Sequence, residues 1–252
     1  MTGEIRTVLA VGATGSIGRL VVQELLDAGL EVRALVRDVG RARRVLPSGI
    51  GLVGGDLTRP ETLAAAVDGV DGIVLTHGGA PYELDYVGVR NLLEALDGRM
   101  PRIALMTSMS VSQRRTGAYA ATGDWKRAAE RLVRAYGAPY TIVRPGWFDY
   151  QAAHERAVLL EQGDDSPVDS HRGVARTQIA RTLVQSLLAA TATNKTFELF
   201  AQDGEAPSDW SAVFAPLVLD DPATLAGGLD RGVALADEPA EVRADIDRLR
   251  AR

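Results

Sequence analysis

Cysteine is absent from the sequence, which excludes disulfide bonds, thiolate metal sites and cysteine nucleophiles. The absence fits a reducing compartment, and we predict a soluble cytoplasmic protein. Histidine is scarce, with three residues in the whole chain. Because neither His154 nor His171 has a second histidine four residues away or an acidic motif beside it, we predict that the protein holds no metal ion.

Long apolar runs and an excess of positive charge are missing as well. No apolar segment is long enough to cross a membrane, and Glu4 with a glycine-broken apolar stretch argues against a signal peptide. The formal net charge of -5 gives no reason to expect binding to nucleic acid or to an anionic membrane. We therefore expect a small-molecule partner, and the sequence neither requires nor excludes a homodimer.

The chain does contain a regular alternation of strand and helix patterns. Its 252 residues suffice for one large domain. The predicted strands cover residues 8–11, 31–36, 50–53, 73–76, 103–107 and 140–144. The predicted helices cover residues 18–28, 60–67, 86–96 and 124–136. This alternation predicts an α/β fold, a doubly wound parallel sheet of the Rossmann type with helices on both faces.

After Pro145 the pattern becomes less regular. We predict helices over 152–161, 178–189, 210–217 and 239–250, and one strand over 196–200. We interpret the chain as a single domain with a Rossmann core over 1–145. Residues 146–252 would form a smaller substrate lobe without a core of its own, closing over the carboxyl ends of the strands.

Three glycines follow the first predicted strand and precede a helix. Gly12, Gly15 and Gly18 have the spacing G-x-x-G-x-x-G. The first allows a tight turn, the second lets the backbone approach a pyrophosphate, and the third lets the helix pack on the strand. The helix amides and the positive end of the helix dipole then face the phosphates. We predict a dinucleotide site here, with further contacts from Thr14, Ser16, Ile17 and Arg19.

The residue after the second strand usually distinguishes NAD from NADP, and Arg37 holds that place. A guanidinium suits a 2′-phosphate because its donors are arranged as a fork, and Arg19 could add a second positive charge. Both arginines could instead be solvated surface residues. Asp38 could serve a free ribose if the turn sat differently. We predict NADP(H) rather than NAD(H).

The third and fourth strands end in further candidate contacts. Asp56 could accept a hydrogen bond from the adenine amino group while the amide of Leu57 meets the ring, or it could cap the following turn. Thr76 and His77 end the fourth strand beside small residues that let the backbone approach a ribose or phosphate. His77 could act as a catalytic acid or be an ordinary polar loop residue, and we assign it to the substrate side.

Four segments together resemble the short-chain dehydrogenase/reductase superfamily, and they are similar above all to its atypical, NmrA-like branch. They are residues 12–18, 55–57, 106–108 and 143–146. The resemblance covers residues 5–150 well and is specific for fold and cofactor rather than substrate. It implies catalysis by a serine at the end of strand five and by a Tyr-x-x-x-Lys pair on the next helix.

By this resemblance Ser108 takes the serine position, with Ser110 close enough to compete, and Lys126 takes the lysine position. Helical projection places Lys126 at the edge of an apolar stripe, where its ammonium could reach ribose hydroxyls, although a solvated lysine would fit as well. The opposite face of the helix carries three arginines, Arg127, Arg131 and Arg134.

The resemblance also implies that the backbone at Pro145 contacts the nicotinamide carboxamide. Trp147 and Phe148 follow directly, and we predict that their rings are walls of the substrate pocket. The alternative is that both are simple core aromatics.

The chain departs from the family at one position that matters. Four residues before Lys126 stands Thr122, not tyrosine. Tyr119 lies one turn earlier and could reach the same place if the helix begins late. Threonine is too weak an acid to protonate an alkoxide, so ordinary ketone reduction is disfavoured.

We predict hydride transfer from NADPH to an aromatic or quinone-type acceptor, as in the quinone reductases and polyketide-tailoring reductases that the chain resembles. The product of such a step is a phenolate-type anion whose parent acid has a pKa of about 10. The alternatives are a non-catalytic NADP(H)-binding redox sensor and, less favoured, an NAD-dependent epimerase or dehydratase.

Overall fold

The computed structural model describes residues 4–114, 116–117, 119–167 and 172–251. Its main sheet has eight strands in the order β3-β2-β1-β4-β5-β6-β10-β8. All neighbours are parallel except β8, which runs antiparallel to β10 at one edge. A separate parallel pair is formed by β7 and β9. The strands are β1 (Thr7–Val11), β2 (Glu31–Val36), β3 (Gly51–Gly54), β4 (Gly72–Leu75), β5 (Arg102–Met106), β6 (Tyr140–Pro145), β7 (Trp147–Phe148), β8 (Ala157–Glu161), β9 (Gly173–Val174) and β10 (Lys195–Gln202).

Helices cover both faces of this sheet, as the alternation of patterns predicts. The α-helices are α1 (Gly18–Asp27), α2 (Val39–Val45), α3 (Ala64–Val67), α4 (Val89–Leu96), α5 (Ala120–Tyr136), α6 (Arg176–Leu188), α7 (Trp210–Phe214) and α8 (Ala240–Arg250). Along β1, Leu9 and Val11 belong to one core cluster and Val8 and Ala10 to the other, because successive side chains point to opposite faces. The first cluster packs against α4, α5 and α8, and the second against α1 and α6.

The predicted helix over 152–161 is wrong, because this segment contains strand β8. Its residues pair with β10, Leu159 with Phe200 and Val158 with Ala201. The segment has no strong strand pattern of its own, so pairing with β10 decides its structure. Glu161, the last residue of β8, pairs with Glu198.

Other boundaries differ because local geometry replaces regular helix. The predicted helix over 60–67 is a 3-10 turn at Pro60–Thr62 followed by α3. A π-helical segment, Pro81–Gly88, precedes α4. The sequence patterns do not reveal α2, since Ala42 is its one buried residue and a single position shows no periodicity.

The C-terminal part of the chain is built into the same sheet. Strand β10 lies beside β6, helix α6 packs against α1, and α8 packs against α5. The division into a core and a substrate lobe stays an interpretation. No helix among the described residues combines the length and apolarity that crossing a membrane requires.

Candidate functional site

Two adjoining cavities lie at the carboxyl ends of the central strands. The first, of about 230 Å³, we call the adenosine crevice, and the second, of about 660 Å³, the deep pocket. Gly15, Thr76, His77 and Gly78 line both, so the two cavities are continuous along these residues. This is the edge of an open α/β sheet where ligands bind.

The glycine turn shapes the junction between the cavities. Gly12 has a φ of +81°, and a Cβ there would lie 2.7 Å from the amide nitrogen of His77. At Gly18 a Cβ would lie 2.0 Å from the carbonyl oxygen of Gly12. The amide of Gly15 donates to that same carbonyl at 2.9 Å. The tight turn and the close packing of helix on strand are therefore both present, and Ser16 and Ile17 face the deep pocket just before α1 begins.

Charges at the adenosine crevice come from β2 and β3. Arg37 lines the crevice at the end of β2, whereas Arg19 is exposed on the first turn of α1 and is not among the described lining residues of either cavity. Asp38 accepts a hydrogen bond from the amide of Arg41 at 2.8 Å and caps α2. Its carboxylate therefore already has a structural role, which leaves Arg37 as the charged side chain of this turn that faces the crevice.

Asp56 lines the adenosine crevice and caps the turn after β3, while its contact with adenine stays a prediction. One carboxylate oxygen accepts from the amide and the hydroxyl of Thr58, both at 2.9 Å, which closes the turn after β3. These bonds and the positive charge of Arg37 hold the pKa of Asp56 below its usual value, against the effect of burial. Leu57 and Thr14 line the same crevice, and the carbonyl of Leu57 accepts from Asn91 at 2.8 Å.

The deep pocket brings together the residues that the resemblance assigns to catalysis. Ser108 and Ser110 line it from the segment after β5, and Lys126 lines it from α5. Thr122 faces the same space, and Tyr119, which is 70% exposed, stands just before α5 at the rim. Helix α5 begins at Ala120, earlier than predicted, so the tyrosine position of the motif falls within regular helix and is held by threonine.

The remaining wall of the deep pocket follows β6. Pro145, Trp147 and Phe148 all line it. The Trp147 ring is 37% exposed, and the guanidinium of Arg176 lies 5.3 Å from the centre of the Phe148 ring, within cation–π range. Both aromatic side chains thus face a cavity and are only partly covered.

An acidic residue that the sequence patterns did not reveal pairs with the lysine. Lys126 Nζ lies 3.6 Å from Asp85 Oδ2, and their side chains are 13% and 4% exposed. Burial raises the pKa of Asp85, and the positive charge of Lys126 works against this. Asp85 lies in the π-helical segment, whose irregular pitch gives no periodic signal, so its place beside Lys126 could not be read from spacing.

His77 lies between the cavities in a neutral state. Burial, together with the nearby positive charge of Lys126, lowers its pKa to about 4. Its Nδ1 atom is buried and has no hydrogen-bond partner among the described residues. A neutral imidazole at pH 7 cannot serve as a cationic acid, but it can donate a hydrogen bond to a ligand or accept one from it.

A buried ionic network lies behind the deep pocket. Arg127, Arg131 and Arg134, which the helical projection places opposite the apolar stripe, are buried rather than solvated. Besides Asp124 and Glu130 on the same helix, they pair with carboxylates from distant segments, and Arg144 joins the same network from β6. The carboxylates are those of Glu130, Asp164, Glu198, Asp220, Asp230 and Glu238. The sequence around the arginines does not reveal these partners, because five of the six carboxylates lie beyond residue 145.

Glu130 shows how the network is balanced. It is fully buried and accepts from Thr107 Oγ1 at 2.7 Å and from Arg144 Nη2 at 2.6 Å. Burial alone would raise the pKa of Glu130, but Arg144 and Arg134 outweigh this and lower it. The carboxylate therefore stays ionised inside the protein.

Two histidines lie outside the site in the sequence, and the structure describes one of them, His154. His154 is on the surface, with Nε2 3.0 Å from Asp203. His171 lies outside the described residues. Among residues that the structure does describe, no group of three or more His, Cys, Asp or Glu side chains is arranged to hold a metal ion. The absence of a metal site stays a prediction.

Comparison with known proteins agrees with this geometry. A model of an NAD(P)H-binding family matches residues 12–190. Sanguinarine reductase of Eschscholzia californica is 27% identical over 261 residues, covering 83% of this chain and 95% of the relative. An NAD(P)H azoreductase of Xenophilus azovorans is 31% identical over 159 residues, covering 62% and 54%. A Bacillus halodurans structure described as an NAD-dependent epimerase/dehydratase superposes with a TM-score of 0.69 at 22% identity, covering 85% of this chain and 100% of that one, and shows the shared fold.

Proposed function

This chain belongs to the NAD(P)H-binding family and is an oxidoreductase, and on that premise we propose that it uses NADPH to reduce an aromatic or quinone-type acceptor. One observation supports the proposal: in the pocket lined by Ser108 and Lys126, Thr122 stands where the resemblance predicts a tyrosine proton donor. Such a site suits an acceptor whose reduced form is a weak base.

The residues present fit a nicotinamide dinucleotide. The turn is tight, because a Cβ at Gly12 or Gly18 would collide with backbone atoms, and Ser16 and Ile17, just before α1, line the deep pocket. A helix N-terminus at this place suits phosphate. Arg37 lines the adenosine crevice and Asp38 is engaged as a helix cap. These two facts favour the 2′-phosphate of NADPH over the free ribose of NADH.

When bound, the cofactor supplies the hydride, and the protein supplies orientation and a water-poor pocket. Lys126, held by Asp85, offers an ammonium for ribose hydroxyls. Trp147 and Phe148 offer flat apolar walls for a conjugated ring.

The proton balance decides which acceptors suit the site. Reduction of a quinone by hydride gives a phenolate-type anion whose parent acid has a pKa of about 10, so no enzymatic acid is needed in the step. An aliphatic ketone would give a far more basic alkoxide, and neither Thr122 nor a neutral His77 can protonate it. The two named relatives are reductases of sanguinarine and of azo compounds, and neither name specifies a ketone.

A redox sensor is the second candidate, since Thr122 removes a proton donor while the cofactor crevice is retained. Such a protein would bind NADP(H) tightly and turn over no acceptor. An epimerase or dehydratase is disfavoured by the same threonine. A cytoplasmic location and a homodimer stay predictions, and some relatives are named as chloroplastic proteins.

The test is NADPH oxidation with a panel of quinones, azo dyes and aromatic ketones. We expect turnover with quinones and little with ketones. The variant Thr122→Tyr should gain ketone reduction, because it restores an acid four residues before Lys126. Faster turnover of ketones than of quinones by the unaltered protein would contradict the proposal, and tight NADPH binding without any turnover would favour the sensor.

Cofactor preference has a separate test in Arg37→Ala. We expect the Kd for NADPH to rise about tenfold or more and the Kd for NADH to change less than about threefold, because one charge-assisted bond to phosphate is lost. Arg43→Ala, on the exposed face of α2, is the matched control and should change neither constant. Equal effects of Arg37→Ala on both cofactors would rule out the phosphate contact.

A further inference from the structure

The segment that carries both candidate serines has no regular secondary structure. Residues 107–112, which we call the β5 loop, run from the end of β5 along the deep pocket. Backbone amides in such a segment need partners outside the sheet ladder. Two of them, at Ser110 and Ser112, donate to the two carboxylate oxygens of Asp164, the second at 2.6 Å.

Asp164 is itself firmly held. It is 2% exposed, its own amide donates to Glu198 Oε2 at 3.2 Å, and its Oδ2 lies 3.7 Å from Arg144 Nη1. Both Asp164 and Ser110 have positive φ values, +53° and +65°. Non-glycine residues adopt this conformation at a cost, so it persists where surrounding contacts impose it.

Further contacts hold the β5 loop around this clamp. Thr107 Oγ1 donates to Glu130, and the carbonyl of Val111 accepts from Arg127 Nη1 at 3.2 Å. The amide of Met109 donates to the carbonyl of Pro145 at 3.2 Å, which joins the loop to the end of β6. Asp164 is the side chain that accepts from the amides of Ser110 and Ser112, and it lines neither cavity.

We propose that Asp164 is a positioning residue for the reduction: its carboxylate clamps the β5 loop and so fixes Ser108 and Ser110 at the reacting end of the deep pocket. The proposal rests on the proposed function, because it assumes that the nicotinamide and acceptor meet there. Asp164 touches neither cavity in the described structure, so it acts through the loop and not on the substrate.

The decisive variant is Asp164→Asn. An asparagine has one oxygen acceptor, and its amino group would face the second backbone amide, so one of the two clamp bonds is lost. Asp230→Asn is the matched control. The Asp230 side chain is also buried and pairs with Arg144 through two hydrogen bonds of 2.9 and 2.8 Å. Its carboxylate makes no hydrogen bond to the β5 loop in the described part of the chain.

We expect Asp164→Asn to lower kcat for a quinone at least about tenfold at saturating NADPH, because misplacement at the reacting centre acts on the transition state. Binding of 2′,5′-ADP, which occupies the adenosine crevice alone, should change less than about twofold. Asp230→Asn should lower kcat less than about threefold even where it lowers the melting temperature equally. An unchanged kcat in Asp164→Asn, or an equal loss in Asp230→Asn, would overturn the proposal.

A second readout separates this proposal from the proposed function. If the unaltered protein reduces no acceptor, the proposed function fails, and the clamp is then tested by binding. We expect Asp164→Asn to raise the Kd for NADPH at least about fivefold and to leave the Kd for 2′,5′-ADP unchanged. Equal changes in the two constants would overturn the proposed clamp. If Asp164→Asn does not fold, Asp164→Glu keeps the charge beside Arg144 but displaces the carboxylate, and the same outcomes apply.

Discussion

The glycine turn lines the deep pocket and the buried ionic network holds the β5 loop beside it, but the two are built in opposite ways. The turn is one short segment, residues 12–18, and apart from the close approach of Gly12 to His77 its backbone contacts lie within a few residues. The network draws its carboxylates from six positions between Glu130 and Glu238, and each is compensated by an arginine far away in sequence or on another element. One region is local and the other exists only in the folded chain.

This difference predicts different responses to mutation. A local turn can be damaged while the rest of the protein stays folded, because few other contacts depend on it. A buried network has no partial form, since removing one member leaves its partners charged and unpaired. The following predictions test that contrast, from the largest expected effect to the smallest.

The largest effect is expected for Arg144→Ala. Arg144 lies within 3.1 Å of carboxyl oxygens of Glu130, Glu198 and Asp230, and its loss removes the cation that keeps the buried Glu130 and Asp230 ionised. We expect the free energy of unfolding to fall by about 3–5 kcal/mol or more, measured by urea denaturation.

Arg181→Ala is the control for this prediction. Arg181 pairs with Glu24 at 3.2 Å on the exposed surface, where an ion pair contributes about 1 kcal/mol or less. A similar small loss for Arg144→Ala would show that the network members can rearrange independently, and the contrast with the turn would disappear.

A smaller and more local effect is expected for Gly18→Ala. The added Cβ would stand 2.0 Å from the Gly12 carbonyl oxygen, so the turn must shift. We expect a loss of stability of about 1–3 kcal/mol together with weaker NADPH binding, measured by melting temperature and titration. Gly123→Ala is the control for stability, because a Cβ added there would meet no atom within 4 Å and helical alanine is favoured over glycine by about 0.5–1 kcal/mol.

The same contrast explains what could be predicted from the sequence. The parallel sheet, the glycine turn, Arg37 and Lys126 follow from local periodicity and short motifs, and the structure places the three motif elements at the cavities. The resemblance places Thr122 in the tyrosine position, and in the structure Thr122 lines the deep pocket. Local chemistry repeats from protein to protein, so it leaves a readable pattern.

What could not be predicted depends on long-range contacts. Asp85 and Asp164 are single acids in irregular segments, and nothing in their neighbourhood shows that one pairs with Lys126 and the other holds the β5 loop. The sequence pattern of β8 suggested a helix, and the segment is a strand because it pairs with β10, a contact that its own residues do not reveal. The burial of Arg127 could not be predicted for the same reason, since its partner Glu238 lies 111 residues away.

The smallest expected effect is a change in pH dependence for Glu198→Gln. Burial raises the pKa of Glu198 from 4.5 to about 8, and Arg144 works against this. The folded protein therefore keeps a proton that the unfolded chain releases above about pH 4.5, so this group makes the free energy of unfolding decrease as pH rises towards 8. Glutamine does not titrate, so the variant should lose less stability than the unaltered protein between pH 6 and pH 9, measured by urea denaturation at each pH.

The exposed Glu205→Gln should follow the unaltered protein at every pH. If Glu198→Gln did so too, the proton would have to reside elsewhere in a network where six carboxylates face four arginines.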